Sequence, residues 1–203
     1  MNFLAHIYLS GDNELITIGN FVSDGVRGNK YKLYPTEIQA GIKLHRHIDT
    51  FTDAHPLFRQ CTKRLHKGYG HYSGVIVDIF FDHFLAKNWK TYSNIPLADY
   101  IDNFYKSLEA HIELLPPRFK KLTPTMIEDN WLLSYATIEG IQIVLNGMNH
   151  RTKGLSKMNK ATKELKAHYD AFETDFTLFF EDLKTYSNTK RIEIEKQFNI
   201  KQI

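Results

Sequence analysis

The segment VIVDIFFDHFL, from Val75 to Leu85, indicates the fold class, because it is apolar on nearly every face when drawn as a helix. A helix with this pattern lies inside a core rather than on a surface. Asp78 and Asp82 are four residues apart, so their carboxylates point the same way from adjacent turns, and His83 follows directly. Buried carboxylates repel each other and lose hydration, and a bound cation removes both problems. The segment therefore predicts a helical core with a metal site inside it.

Another side chain of the same protein could also compensate these buried polar groups, without a metal. Asp53 and Arg46 are the two candidates for that partner. Placing three polar groups on one apolar helix favours the metal over this alternative, because removing charges from water is costly unless they are paired.

Helical periodicity extends over nearly the whole chain. The predicted helices cover residues 2–10, 13–27, 36–52, 55–67, 71–92, 96–115, 124–134, 136–150 and 158–186. Glycine and proline separate them, and no pair of alternating strands with a hairpin turn occurs. We therefore predict an irregular all-α helical bundle with one domain at residues 1–186. Residues 187–203 are predicted to form a C-terminal tail, as a frayed helix, a partner contact or disordered chain.

The composition excludes several protein classes. The chain has 203 residues, 42% hydrophobic and 24% charged, which is ordinary for a globular domain. Cys61 is the single cysteine, which excludes a disulfide framework and a cysteine metal site. Residues 1–9 lack signal-peptide features and no segment is long enough to span a membrane, so the predicted location is the cytoplasm. The net charge of +3 is only mildly basic and no basic stripe occurs, which argues against a nucleic-acid partner.

A second polar cluster, GIKLHRHIDTFTD, runs from Gly41 to Asp53. His45 and Asp49 are four apart and share a helical face, and their nitrogen and oxygen ligands suit manganese, iron or zinc. The cluster is equally compatible with a structural His–Asp pair, in which Asp53 caps the next helix near Pro56. Both interpretations stay open at this point.

A third cluster, GNFVSDGVRG, runs from Gly19 to Gly28. Asp24 could supply another carboxylate, and Arg27 could hold a phosphate oxygen through its planar guanidinium. In isolation the segment is better explained as a helix terminus, with Gly28 at the end and Arg27 stabilised by the helix dipole. His6 is similarly more typical of a hydrogen-bonded core histidine than of a ligand.

Taken together, these motifs resemble the acyl carrier protein phosphodiesterase family, in the same order and from the first residue to about Ile143. The matching motifs are Met1–His6, Gly19–Phe21 through Arg27–Gly28, Gly41–Ile42 through His45–Arg46 and Ile48–Asp49, Thr52–Asp53, and Asp78 with Asp82–Leu85. The resemblance implies an all-α fold related to the HD phosphohydrolases. Their contiguous His-Asp pair does not occur here, where His47-Ile48-Asp49 and the reversed Asp82-His83 stand instead.

The resemblance implies hydrolysis of the phosphodiester that links 4′-phosphopantetheine to a serine of acyl carrier protein. The implied cofactor is a divalent metal, manganese first, with Fe²⁺, Mg²⁺ or Zn²⁺ as alternatives. The implied metal ligands are His45, Asp49, Asp78, Asp82 and His83, with Asp24 and His6 as further candidates. Asp82 is also a catalytic candidate, Arg27 or Arg46 would stabilise the transition state, and Asp53 would orient a ligand or accept a proton.

The implied partner is holo-acyl carrier protein, which is an acidic helical bundle. A basic surface at Arg27, Lys30, Lys32, Arg46 and 63–67 would steer its association through complementary charge. Two other functions stay open: an HD-like phosphohydrolase of a nucleotide or other small phosphoester, and a non-enzymatic helical protein that binds a carrier. The sequence leaves the oligomeric state open.

Overall fold

The computed structural model describes residues 1–201, which form twelve α-helices joined by loops and short 3-10 turns and contain no strand. The helices are α1 (Phe3–Tyr8), α2 (Glu14–Val22), α3 (Thr36–Ala54), α4 (Pro56–Tyr69), α5 (Ser73–Lys87), α6 (Trp89–Tyr92), α7 (Leu97–Ala110), α8 (Pro117–Glu128), α9 (Trp131–Ser134), α10 (Ile138–Arg151), α11 (Thr162–Ala167) and α12 (Tyr169–Gln197). The predicted all-α class is confirmed. None of these helices combines the length and apolarity that a bilayer crossing requires.

Helix α5 lies at the centre of the bundle, as its apolar sequence predicts. Helices α1, α4, α10 and α12 pack around it. The Phe81 side chain is inaccessible to solvent and contacts Phe176 and Phe179 of α12 at ring-centroid distances of 5.5 and 5.1 Å. Burying one such side chain contributes roughly 1.5–3 kcal/mol, so this aromatic contact is a major part of the core.

Helices α2 and α3 cross with their backbones in contact, because each has a glycine at the crossing. A Cβ atom on Gly41 would lie 2.1 Å from the carbonyl oxygen of Ile16, and one on Gly19 would lie 2.3 Å from that of Ile38. Only glycine permits this approach. The crossing places His45 of α3 directly beside α2.

The predicted helix at 13–27 ends early, at Val22. Two 3-10 turns follow it, Ser23–Gly25 and Gly28–Leu33. Arg46 of α3 stabilises this irregular path, since its guanidinium donates hydrogen bonds to the carbonyl oxygens of Val26 (3.2 Å) and Gly28 (2.9 Å). Asp24 therefore lies in a turn outside α2, where it faces α3.

Two other predicted helices are interrupted. The helix predicted at 124–134 begins earlier, at Pro117, a first-turn position that proline favours. Asn130 adopts a left-handed conformation (φ 46°) and separates α8 from α9. The helix predicted at 158–186 is divided at His168 into α11 and α12.

The predicted boundary at residue 186 does not correspond to a break, because it falls inside α12. Ser187 is inaccessible to solvent and Ile194 is buried. Beyond the helix, the ring of Phe198 lies 5.1 Å from the Nζ atom of Lys43. Residues 187–201 therefore pack on the bundle, because their isoleucines and Phe198 continue the apolar face of α12; the rest of the predicted tail lies outside the described residues.

Candidate metal centre

Helices α1 and α3 bring together two histidines and a carboxylate: His6, His45 and Asp49. One potential ligand atom from each lies within 4.8 Å of the others, and this is the one such cluster among residues 1–201. The Nε2 atom of His6 lies 3.3 Å from Oδ1 of Asp49, and that of His45 lies 3.0 Å from Oδ2. The two imidazole rings stack at 3.9 Å with an interplanar angle of 17°. Both Nε2 atoms therefore face one carboxylate.

Asn20 of α2 fixes the orientation of both rings. Its side-chain NH₂ donates to the carbonyl oxygen of His6 (2.9 Å) and to the Ser10 hydroxyl (2.9 Å), so its Oδ1 must accept from Nδ1 of His6 (2.8 Å). Its backbone carbonyl oxygen accepts from Nδ1 of His45 (2.8 Å). Because both Nδ1 atoms donate to protein oxygens, each ring directs its Nε2 atom at Asp49, and in a neutral ring that atom carries a lone pair.

The Nε2 atom of His6 is buried and has no hydrogen-bond partner in the described residues. A lone pair that faces a carboxylate is repelled by it, and an unpaired buried polar atom is costly. A divalent cation between the three side chains would satisfy all of them. The arrangement, with the other ring nitrogen held by a protein oxygen, is also typical of metal-binding histidines. The residues therefore fit the metal that the sequence resemblance implies.

Asp24 extends the cluster toward solvent. Its Oδ1 lies 3.3 Å from Nε2 of His45, and its side chain is 64% exposed. The Asp49 side chain is 42% exposed. The imidazoles are thus buried while the carboxylates border the surface, so a substrate can reach this side of the cluster directly.

The two histidines differ in pKa because their electrostatic surroundings differ. Burial and the neighbouring ring of His45 lower the pKa of His6 to about 4, so this imidazole stays neutral. Burial also lowers the pKa of His45, but hydrogen bonds to Asp24 and Asp49 outweigh it and raise that pKa to about 9. Burial raises the pKa of Asp49, but its contacts with His45 and His6 prevail and hold that pKa well below its usual range. Asp49 therefore supplies a full negative charge to a cation.

The structure gives Asp78 another neighbour. Its Oδ1 lies 2.8 Å from the amino nitrogen of Met1. Burial raises the pKa of the Asp78 carboxyl, and the amino group opposes that rise. Asp78 was predicted as a ligand, but it is not among the residues that cluster with His6.

Asp82 and His83 have partners that account for their burial without a metal. The Asp82 carboxylate accepts hydrogen bonds from the backbone N–H groups of Asn2 (3.3 Å), Leu4 (2.7 Å) and Ala5 (3.3 Å), and so caps the first turn of α1. Nδ1 of His83 bonds the carbonyl oxygen of Tyr135 (2.8 Å) and its Nε2 bonds the Tyr169 hydroxyl (2.8 Å). The placement therefore does not support the predicted ligand role, since both side chains already have their hydrogen-bond partners.

The other predicted catalytic residues, Arg46, Asp53 and Arg27, lie in three different environments. Arg46 is engaged with the turn after α2, which leaves it a positioning role. Asp53 is exposed one turn beyond Asp49, and it does not cap α4. That cap is His55, whose Nδ1 accepts from the N–H of Leu57 (3.3 Å). The Arg27 side chain is exposed and forms no ion pair within residues 1–201, so it is free to contact a substrate.

Comparison with known proteins identifies the family. The model of the family described as acyl carrier protein phosphodiesterase matches residues 1–183. The chain belongs to the acyl carrier protein phosphodiesterase family. A relative of that name from Photorhabdus laumondii is 34% identical over 181 residues, which are 89% of this chain and 91% of the relative. Relatives of the same name from Escherichia coli and Shigella boydii are 33% and 34% identical over 193 residues, 95% of this chain and 100% of each relative.

Membership in the acyl carrier protein phosphodiesterase family confirms the predicted enzyme class, a hydrolase of phosphoric diesters. No solved structure matches the chain. The relation to the HD phosphohydrolases therefore stays a prediction.

Asn20 is the residue of this centre that the sequence interpretation did not select. It lies in the Gly19–Phe21 segment, inside the range that the family model matches. In the sequence Asn20 looks like an ordinary polar residue of an apolar helix. Nothing in the sequence shows that α1 and α3 pack on either side of it. The one signal in the sequence is a polar side chain within an otherwise mostly apolar helix, because such a side chain needs hydrogen-bond partners if it is buried.

Replacing Asp82 with alanine is expected to destabilise the protein by about 2–4 kcal/mol, because the buried N–H groups of Leu4 and Ala5 lose their acceptor. Urea unfolding followed by circular dichroism measures this change. Activity should also fall, since α1 carries His6. Asp102→Ala, at an exposed position of α7, is the control and should change stability by less than about 0.5 kcal/mol. Equal stability of the two variants would contradict the capping role.

Proposed function

We propose that this enzyme hydrolyses the phosphodiester between 4′-phosphopantetheine and a serine of holo-acyl carrier protein, with a divalent metal bound by His6, His45 and Asp49. The relatives are named acyl carrier protein phosphodiesterase, which gives the carrier and the class of bond. The observation that most supports a metal is the buried, unpaired Nε2 atom of His6, which faces Asp49 beside a second imidazole. Asp24 would be a fourth ligand or would hydrogen-bond a coordinated group.

The donor set favours manganese, iron or zinc. Two imidazole nitrogens with carboxylate oxygens suit these metals better than Mg²⁺, which prefers oxygen ligands and retains several waters. Manganese is the first choice, as the family resemblance implies. A metal at this position would neutralise charge on the phosphoryl oxygens and lower the pKa of an attacking water.

The protein side chains have separate roles in this proposal. Asn20 keeps the Nε2 atoms of both imidazoles directed at the centre. Arg27, three residues after Asp24 and exposed, is the candidate to bind the phosphoryl oxygens through its guanidinium fork. Asp53 stays the candidate proton acceptor. Hydrolysis breaks the bond between phosphorus and the serine oxygen; water supplies a hydroxyl group to phosphorus and a proton to the serine oxygen.

The decisive experiment follows the intact mass of the carrier. Holo-acyl carrier protein incubated with the enzyme and Mn²⁺ should lose the phosphopantetheine arm, so that its mass decreases to that of the apo form. Chelation of the metal should stop the reaction, and added Mn²⁺ should restore it. An unchanged carrier, with an enzyme shown to be folded and to bind Mn²⁺, would contradict the proposed substrate and favour a nucleotide or another small phosphoester. The predicted cytoplasmic location is part of the proposal, since holo-carrier must be available there.

A further inference from the structure

The 3-10 turn Gly28–Leu33 presents an apolar residue next to two cations. Leu33 is 85% exposed, the highest value among the large hydrophobic side chains of the described residues. Lys30 and Lys32 are exposed beside it, and no residue of this turn is buried. A single exposed leucine is ordinary on a protein surface, but a partner that covered Leu33 would gain its apolar area and could pair with the flanking lysines.

Several contacts hold the turn in place. Arg46 donates hydrogen bonds to its first residue and to the residue two positions before. The Arg46 guanidinium carbon and the Lys43 Nζ atom lie 5.2 and 5.8 Å from the ring centroid of Tyr31, within range of cation–π attraction. Gln39 donates to the carbonyl oxygen of Tyr34 (2.8 Å). A surface ordered in advance loses little conformational entropy when a partner binds.

The lysines of this turn are available for a partner. Neither Lys30 nor Lys32 forms an ion pair within residues 1–201. Of the other cations of the basic surface predicted from sequence, Arg64 pairs with the buried Asp175 and Arg46 bonds backbone carbonyls, whereas Lys63 and Lys67 of α4 are exposed. Lys30 and Lys32 differ from those two lysines in chain position, because they follow Asp24 of the candidate centre by six and eight residues.

The start of the turn is connected to the candidate metal centre, because Arg46, which follows His45 in α3, donates a hydrogen bond to the carbonyl oxygen of Gly28. Arg27, which precedes the turn, is three residues from Asp24, so their Cα atoms are at most about 11 Å apart. In the proposed reaction the scissile diester is attached to a serine of a folded carrier. The surface of that carrier must then touch the rim of the centre, and the turn forms part of this rim.

We propose that the turn Gly28–Leu33 is the docking surface for the carrier protein, with Lys30 and Lys32 facing carboxylates of the carrier and Leu33 covered by an apolar side chain. This inference rests on the proposed function and names the residues that select its substrate. Charge pairs at the edge of such an interface mainly accelerate association, and the covered leucine slows dissociation.

The test compares this turn with a loop of similar composition. Lys153–Lys157 also carries two lysines around an exposed leucine, Leu155 (76% exposed), and α10, which precedes it, packs against α5, α9 and α11. The variants are Lys30→Glu/Lys32→Glu and Lys153→Glu/Lys157→Glu, which change the net charge by the same amount. The readouts are kcat/KM for holo-carrier at low and high salt, and the affinity for apo-carrier by fluorescence anisotropy.

We expect Lys30→Glu/Lys32→Glu to lower kcat/KM by about tenfold or more at low salt, with a smaller loss at high salt, because ions screen exposed charges. Leu33→Ser should weaken apo-carrier binding at both salt concentrations. The loop variant should stay within about twofold of wild type. Circular dichroism and Mn²⁺ affinity show whether each variant keeps its fold and its metal centre.

Equal losses in both double variants, or a larger loss in the loop variant, would overturn the docking assignment. Unchanged kinetics and binding in Lys30→Glu/Lys32→Glu would overturn it as well. Wild-type enzyme that binds apo-carrier through this turn but releases no arm from holo-carrier would contradict the proposed reaction and retain the docking surface. Wild-type enzyme that neither binds nor cleaves the carrier would refute both.

Discussion

Replacing Asp49 with asparagine is expected to lower the rate of hydrolysis of holo-carrier by at least about a hundredfold, while the helical fold persists. Both oxygens of Asp49 face imidazole nitrogens, one toward His6 and the other toward His45. The amide keeps one oxygen, carries no charge and places an NH₂ group where the second oxygen stood. Even partners that only orient metal ligands are worth 10–100-fold in affinity or activity, and Asp49 is proposed to be a ligand itself.

Two measurements besides activity test the same replacement. Calorimetric Mn²⁺ affinity should fall by at least about tenfold. In the metal-free protein, NMR titration should show the pKa of His45 decrease from its raised value near 9, because the Asp49 carboxylate is one cause of that rise. Full activity with unchanged Mn²⁺ affinity would contradict the assignment of the centre.

Asp182→Asn is the matched control for Asp49→Asn. Asp182 also faces a histidine, with its Oδ2 atom 3.3 Å from Nε2 of His55, but the Asp182 side chain is 66% exposed and no second imidazole joins the pair. The replacement should leave both the rate and the Mn²⁺ affinity unchanged within about twofold, since an isolated surface pair contributes little.

Replacing Gly41 with alanine is expected to destabilise the protein by about 3 kcal/mol or more and to reduce activity with it. The added Cβ would lie 2.1 Å from the Ile16 carbonyl oxygen and 2.7 Å from the Asn20 backbone nitrogen. Neither atom is on a flexible side chain, so α2 and α3 must move apart, and overpacking of this kind costs 1–3 kcal/mol or more. Separation of the helices would also lengthen the hydrogen bond between Asn20 and His45.

The same replacement of glycine by alanine at Gly147 should have the opposite effect on stability. Gly147 is an exposed residue inside α10, and a Cβ there would meet no atom within 4 Å. Alanine should then stabilise the helix by about 0.5–1 kcal/mol, because glycine loses more backbone entropy on folding. Thermal and urea unfolding of both variants measure these differences. A Gly41→Ala protein as stable as wild type would show that the two helices are not in backbone contact.

Much of the fold could be predicted from the sequence. The apolar segment from Val75 to Leu85 indicates the central helix, and the 3.6-residue periodicity elsewhere indicates the all-α class. The ends of the helices were less predictable. The early stop at Val22 depends on the bonds from Arg46, a residue on another helix, and no local pattern shows that contact.

The centre was predicted in part. His45 and Asp49 share a helical face, so local spacing was sufficient to pair them. His6 and Asp24 were named through the family resemblance, because each taken alone is better explained as structural. Asp82 was assigned to the metal from its expected burial, its spacing from Asp78 and the family resemblance, but its carboxylate caps α1.

What the sequence by itself determined is local: helical periodicity, the buried helix and the His45–Asp49 spacing follow from bonds and contacts within a few residues of the chain. What the tertiary structure decided is which distant groups compensate each buried charge. Backbone N–H groups 77–80 residues away satisfy Asp82, and Asn20 orients His6 and His45 from a helix between them. The physical reason is that burial requires a polar partner without specifying it, and only the packing of α1, α2 and α3 selects one.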